Sequence, residues 1–144
     1  MAHDEIFLKK NEDKRLRQGH LWVFSNEIDV ARSPLKHFTA GDLVQVKASD
    51  GKVIGTAYIN PQSLICARLL SRKGNLKCGS NFFKDRITTA LVLREKLFGK
   101  PYYRLVYGES DGLPGLVIDR FGPVFSVQIT TAGFELRKDS LIAA

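Results

Sequence analysis

No stretch of this 144-residue sequence is apolar for anything near the roughly 20 residues a membrane-crossing helix needs. The opening, MAHDEIFLKK, lacks the basic-then-apolar order of a secretory leader. Cysteine is scarce: Cys66 and Cys78 are the only two, and three scattered histidines do not complete a tetrahedral zinc set with them. A disulfide scaffold is therefore excluded, and two reduced thiols with no joint role are the plain reading. Together these absences point to a cytoplasmic protein with no membrane partner and no metal site. Neither GxGxxG nor GxxxxGK[ST] occurs, so no phosphate or dinucleotide cradle is legible. No Ser/His/Asp or Cys/His constellation is present either, and the residues offer no catalytic group. Internal repeats and low-complexity segments are also missing.

What is present suits one ordinary domain or two small ones. Hydrophobic residues make up 44% and charged residues 26%, enough to bury a core without the composition of a disordered chain. The formal charge is +7. Residues 1–99 hold 17 Lys/Arg against 10 Asp/Glu, and residues 100–144 hold 5 against 5, so the excess lies on the N-terminal side. Lys and Arg that pair with phosphates release condensed counterions, and such an asymmetry is the footprint of a polyanion partner. Many proteins are simply basic, so charge alone leaves the partner open.

The pattern predicts a mixed α+β chain. Ile6-Phe7-Leu8 reads as a strand, and Asn11 as the cap of a short helix through Arg17 that Gly19 stops. LVQVKA (43–48), VIGTAYI (53–59) and LICARLL (64–70) read as strands. The first two are joined at Asp50-Gly51. Val44, Val46 and Ala48 share one face; Ile65, Ala67 and Leu69 share another, with Arg68 opposite. Short strands this close, with a helix near the start, suggest a small mixed β-barrel. SRKGNLKCGS (71–80) reads as a linker, and Ser80 as the cap of a helix over 81–98 with Phe83, Ile87, Leu91 and Phe98 in one stripe. Strands follow at 103–107, 115–119 and 123–130, with Arg120-Phe121-Gly122 as the tight connection between the last two. A helix is predicted from near Ala132 to Ala144. It ends at SLIAA without Gly, Pro or a basic last turn, so the sequence is expected to be the front of a longer protein.

Two basic groupings are candidate RNA contacts. The first is Lys14, Arg15, Arg17 and His20, followed by Trp22 and Phe24. Cations serve phosphates and aromatic faces serve unstacked bases. The plainer alternative is a solvated helix face with Trp22 and Phe24 in the core. The second is Arg68, Arg72, Lys73 and Lys77, where a charge run in a linker is commonly only solvated. A third feature, GESDGLPGLVIDRFG (108–122), gathers Glu109, Asp111 and Asp119 with four glycines. Paired carboxylates can do acid–base work. Asp111-Gly112 and Leu113-Pro114-Gly115 are better turn makers than catalytic spacers.

LKKNEDKRLRQGHLWVFSNEI, GDLVQVKASDGKVIGTAYINPQSLICARLL and YRLVYGESDGLPGLVIDRFG, in this order, resemble the N-terminal part of the S-adenosylmethionine-dependent cytosine-5 methyltransferases of large-subunit ribosomal RNA. The resemblance runs from about Phe7 to Ala144, and the GESDGLPGLVIDRFG run is its most specific part. It implies that residues 1–73 form a PUA-like RNA-binding domain and that 74–100 are linker and helix. Residues 101–144 would then open a central α+β domain. It further implies ribosomal RNA as partner and S-adenosylmethionine as cofactor of the full-length parent. The Gly-rich cofactor loop and the attacking cysteine of the family have no counterpart here, and neither Cys66 nor Cys78 lies in a matching motif. This chain is thus expected to hold no cofactor and to methylate nothing by itself. Two other readings stay open: a free-standing PUA-type adaptor without enzymatic activity, and an enzyme formed by the strand block after residue 100.

Overall fold

The computed structural model describes residues 3–144. The chain divides into two compact units, Met1–Leu76 and Lys77–Ala144.

In the first unit, β1 (Asp4–Phe7), β2 (Trp22–Phe24), β3 (Leu43–Lys47), β4 (Val53–Ile59) and β5 (Ile65–Ser71) form one sheet in the order β1-β3-β4-β5-β2. β1 runs parallel to β3, and every other pairing is antiparallel. Beyond the strand ends the sheet curls onto itself: the Asp29 N–H donates to the Phe7 carbonyl at 2.8 Å and the Lys9 N–H to the Glu27 carbonyl at 2.9 Å. The chain that follows β2 therefore meets β1, which closes the small barrel. Alternation fills it, with Ile6, Val23, Val44, Val46 and Ile59 all fully buried. Each such aliphatic side chain contributes about 1.5–3 kcal/mol. Gly55 is required by contact rather than by turn geometry, because a Cβ there would lie 2.0 Å from the Ser71 carbonyl oxygen across the β4–β5 pairing.

The N-terminal helix differs from expectation. Asn11 does not cap it: Asn11 has φ 69°, a left-handed conformation that Asn tolerates, and turns the chain. Helix α1 begins only at Lys14 and ends at Arg17. The Asp13 carboxylate accepts from Arg17 Nε at 2.6 Å instead of from a helix N–H.

In the second unit, α2 (Ser80–Leu97) packs beside an antiparallel sheet of β6 (Tyr102–Tyr107), β7 (Leu116–Phe121) and β8 (Val124–Ile129). Gly79, not Ser80, occupies the cap position of α2. Phe83 is fully buried between the edge-on rings of Phe82 and Phe134, at 5.3 and 5.2 Å. The β7–β8 connection is Gly122-Pro123, one step later than the sequence suggests. Phe121 pairs with Val124, and Gly122 at φ 63° takes the first central position of the hairpin turn. The final helix is broken into α3 (Ala132–Glu135) and α4 (Lys138–Ile142). The Arg137 N–H bonds back three residues to Phe134, while its guanidinium takes the Gly133 carbonyl at 2.6 Å. The acceptor that would have continued the helix is thereby used by a side chain.

Candidate nucleic-acid interface

β2 is a three-residue edge strand, so its alternation decides which side chains it presents. Val23 points into the barrel and is fully buried; Trp22 and Phe24 are only half-buried, outside the core cluster. The Trp22 ring meets the His20 ring edge-on at 5.9 Å and the Phe24 ring edge-on at 6.3 Å. The Trp22 N–H donates to His20 Nδ1 at 3.3 Å, which fixes the exposed imidazole beside the indole. Pairing with β5 then sets Arg68 directly across from Trp22, and Arg68 continues the row to Tyr58 on β4. The Arg68 guanidinium lies 5.5 Å from the Trp22 ring centroid. Next along the edge, Arg15 lies 5.3 Å from the Phe24 ring centroid and 3.5 Å from the carboxylate of Glu27. Glu27 is buried and also accepts the Phe24 N–H at 2.9 Å.

The sheet thus brings Arg68 of the second basic grouping to the edge that carries Arg15, His20, Trp22 and Phe24. Arg15, His20, Trp22, Phe24 and Arg68 form a continuous ladder of rings and guanidinium groups. Arg72 plays another part: its guanidinium donates to the carbonyls of Leu16 and, at 3.4 Å, of His20, tying the end of α1 to the end of β5. Arg17 is engaged by Asp13. Lys14 and Lys73 are exposed, with no ion pair among the described residues. Sequence reading missed the Trp22–Arg68 pairing. The available signal was that Arg68 faces away from Ala67 and Leu69 as Trp22 faces away from Val23.

Asp111 and Asp119 of GESDGLPGLVIDRFG serve the second unit's own architecture. Arg94 of α2 grips Asp111 with both guanidinium nitrogens, at 2.6 and 2.8 Å, and Asp111 also accepts the Tyr107 N–H at 2.7 Å. Arg86, one turn pair earlier on α2, donates to the Gly112 carbonyl at 2.7 Å. Burial lowers the Arg86 pKa from its ordinary value. Asp119 pairs with Arg104 at 2.8 Å on the surface, and that hydrogen bond holds its carboxyl below the usual value. Burial pushes both thiols up to about 11, so Cys66 and Cys78 stay protonated and unreactive near neutral pH. Among the described residues, no group of three or more His, Cys, Asp or Glu is placed to hold a metal, and no helix is long and apolar enough to cross a membrane.

Residues 6–72 match the PUA-like domain family. The matched residues make up most of the first unit, whose fold is PUA-like. Beyond it, the chain is 37% identical over 142 residues to the ribosomal RNA large subunit methyltransferase I of Aliivibrio fischeri strain MJ11, and 39% identical over 142 residues to the protein of the same name from Erwinia tasmaniensis. Each match covers 96% of this chain but 35% of the relative, so the chain spans about a third of these proteins. Among solved structures it is similar to a Streptococcus mutans protein assigned as a SAM-dependent methyltransferase, with a TM-score of 0.80 at 18% identity over 97% of this chain and 36% of that one. A second structure, a protein assigned as a methyltransferase and complexed with SAH, gives 0.79 at 18% identity over 99% of this chain and 36% of that one. At that identity the likeness establishes the mixed α+β fold alone. The edge ladder of Arg15, His20, Trp22, Phe24 and Arg68 belongs to the PUA-like domain.

Proposed function

We propose that this chain is the RNA-holding segment of a cytoplasmic, S-adenosylmethionine-dependent methyltransferase that modifies C5 of a cytosine in large-subunit ribosomal RNA. The observation that carries the reading is the ladder of cations and aromatic rings along β2 and β5 of a PUA-like domain. It stands in a chain whose similarity to proteins named for ribosomal RNA methylation extends through both units. That extent works against a free-standing adaptor, because the second unit is matched as well as the first. In this reading the part of this chain in the reaction is to hold the RNA, and the methyl-donor chemistry belongs to the rest of the parent.

The test is binding of the chain to a large-subunit ribosomal RNA transcript over a range of salt. Affinity is expected to fall as salt rises, and Arg15→Glu with Arg17→Glu to weaken binding and reduce the log–log salt slope by about 1 to 2. Equal affinity and slope for the double variant would remove α1 from the interface.

A further inference from the structure

We infer that the Trp22–Arg68 pair is a binding site for a single unpaired nucleobase, so that the PUA-like domain grips single-stranded rather than duplex RNA at this edge. The inference rests on the RNA-binding reading above and adds the kind of RNA the site takes. A duplex is held by its phosphates and shape, and its bases are already stacked on one another. Exposed ring faces gain nothing from it. The edge of this sheet carries more than charge. His20, Trp22 and Phe24 stand in one ring series, two of them overlaid by guanidinium groups at 5.5 and 5.3 Å. Trp22 is held in place by the His20 and Phe24 rings at its flanks and by its cross-strand partner Arg68. A platform held on three sides by the fold loses little freedom when a base lands on it. Arg68 suits the same ligand, since a planar guanidinium stacks on a base while its charge faces the neighbouring phosphate.

The protein reports on this site directly, because Trp22 is its only tryptophan. The experiment titrates the chain with a short uridine-rich RNA that has no secondary structure, and with a fully paired RNA duplex of the same phosphate count. Indole fluorescence and the anisotropy of labelled RNA are read together. The unpaired RNA is expected to quench Trp22 as it binds, and the duplex to bind through charge without quenching. Trp22→Ala should weaken unpaired RNA about tenfold and leave the duplex unchanged, while Trp22→Phe should retain most of the affinity. Arg68→Lys, which keeps the charge but not the plane, should weaken only the unpaired RNA. If both RNAs bind with equal affinity and neither quenches Trp22, the base site is overturned while RNA binding stands. If neither RNA binds the folded wild-type chain, the RNA-binding reading falls and this inference with it. A misfolded Trp22→Ala would leave the wild-type quenching and the Phe and Lys variants to decide.

Discussion

Breaking the Arg94–Asp111 pair should unfold the second unit far more readily than a surface ion pair would. The side chains are only 13% and 8% exposed, and the contact is bidentate at 2.6 and 2.8 Å. Removing one member of such a pair leaves a buried charge uncompensated, which costs about 3–5 kcal/mol. Asp111→Ala also strips the acceptor from the Tyr107 N–H, but Tyr107 is exposed and water can replace that bond. Arg94 keeps the Arg104 carbonyl, 3.2 Å from Nε, as a partial partner. The lower end applies, about 3 kcal/mol for Asp111→Ala and a similar loss for Arg94→Ala. Asp111→Asn keeps the Tyr107 bond and should cost about 1–2 kcal/mol. The double variant Arg94→Met with Asp111→Leu should cost clearly less than the two single losses together, with a coupling of about 2 kcal/mol. Urea unfolding followed at 222 nm reads this unit, because its 18-residue α2 is the longest helix among the described residues. Trp22 fluorescence follows the other unit as an internal control. Single variants within about 0.5 kcal/mol of wild type would show the pair to be no better than a surface contact and refute the reasoning.

Gly112→Ala should destabilise the same unit by about 1–2 kcal/mol in thermal melts. Gly112 holds φ 70°, and a Cβ there would meet Arg86 Nη1 at 2.2 Å, the nitrogen that binds its carbonyl. Cys66 and Cys78 should resist a thiol reagent until denaturant is added. Because the folded thiols sit at about 11 and unfolded ones near 9.0, the unfolded thiols ionise first as pH rises, which favours the unfolded chain. Their effect is nil below pH 8. Stability is then lost as pH rises from about 9 to about 11, by up to about 2.7 kcal/mol per thiol. Replacing both by Ala should flatten that alkaline limb of the stability profile. Finally, the second unit should bind an apolar fluorescent dye in its cavity of about 840 Å³, and Phe125→Glu should abolish most of that signal without changing far-ultraviolet circular dichroism.

Much of the fold is legible because period-two alternation directly reports which side chains a barrel must bury. Val44, Val46 and Ala48 are buried together as their spacing requires, and Asp50-Gly51 turns the chain with Gly51 at φ 86°. Local chemistry failed where a long-range contact decided the outcome. Asn11 is a good cap in isolation and a good left-handed residue in isolation, and sequence does not rank the two. The final helix breaks because the Arg137 side chain competes for the Gly133 carbonyl, which no periodicity signals. The candidate site shows the same division. Its residue types and the outward face of Arg68 were readable. The pairing that sets Trp22 against Arg68 depends on strand order, with β2 crossing to the far edge beside β5, and strand order is not written in either segment alone.

The charge distribution takes on a different meaning once the units are known. The sequence divides sharply near residue 99, yet the structural boundary at Leu76 gives the first unit 12 Lys/Arg against 8 Asp/Glu, a net of +4. The second unit has 10 against 7, a net of +3. The apparent N-terminal excess therefore includes α2, and two of its cations, Arg86 and Arg94, are spent on the GESDG loop rather than offered to a polyanion. In the first unit Arg17, Lys47 and Lys52 are paired with Asp13, Glu5 and Asp50, and Arg72 braces α1. What remains for phosphate is a smaller set: exposed Lys9, Lys10, Lys14, Lys36 and Lys73, none in an ion pair among the described residues, in a unit whose edge arginines lie over rings. A polyanion held by few free lysines and several arginine-overlaid rings is gripped weakly by its backbone and more strongly by whatever base it can expose. If this domain holds RNA as proposed, net charge brings the RNA to it and the aromatic edge selects which part of it stays.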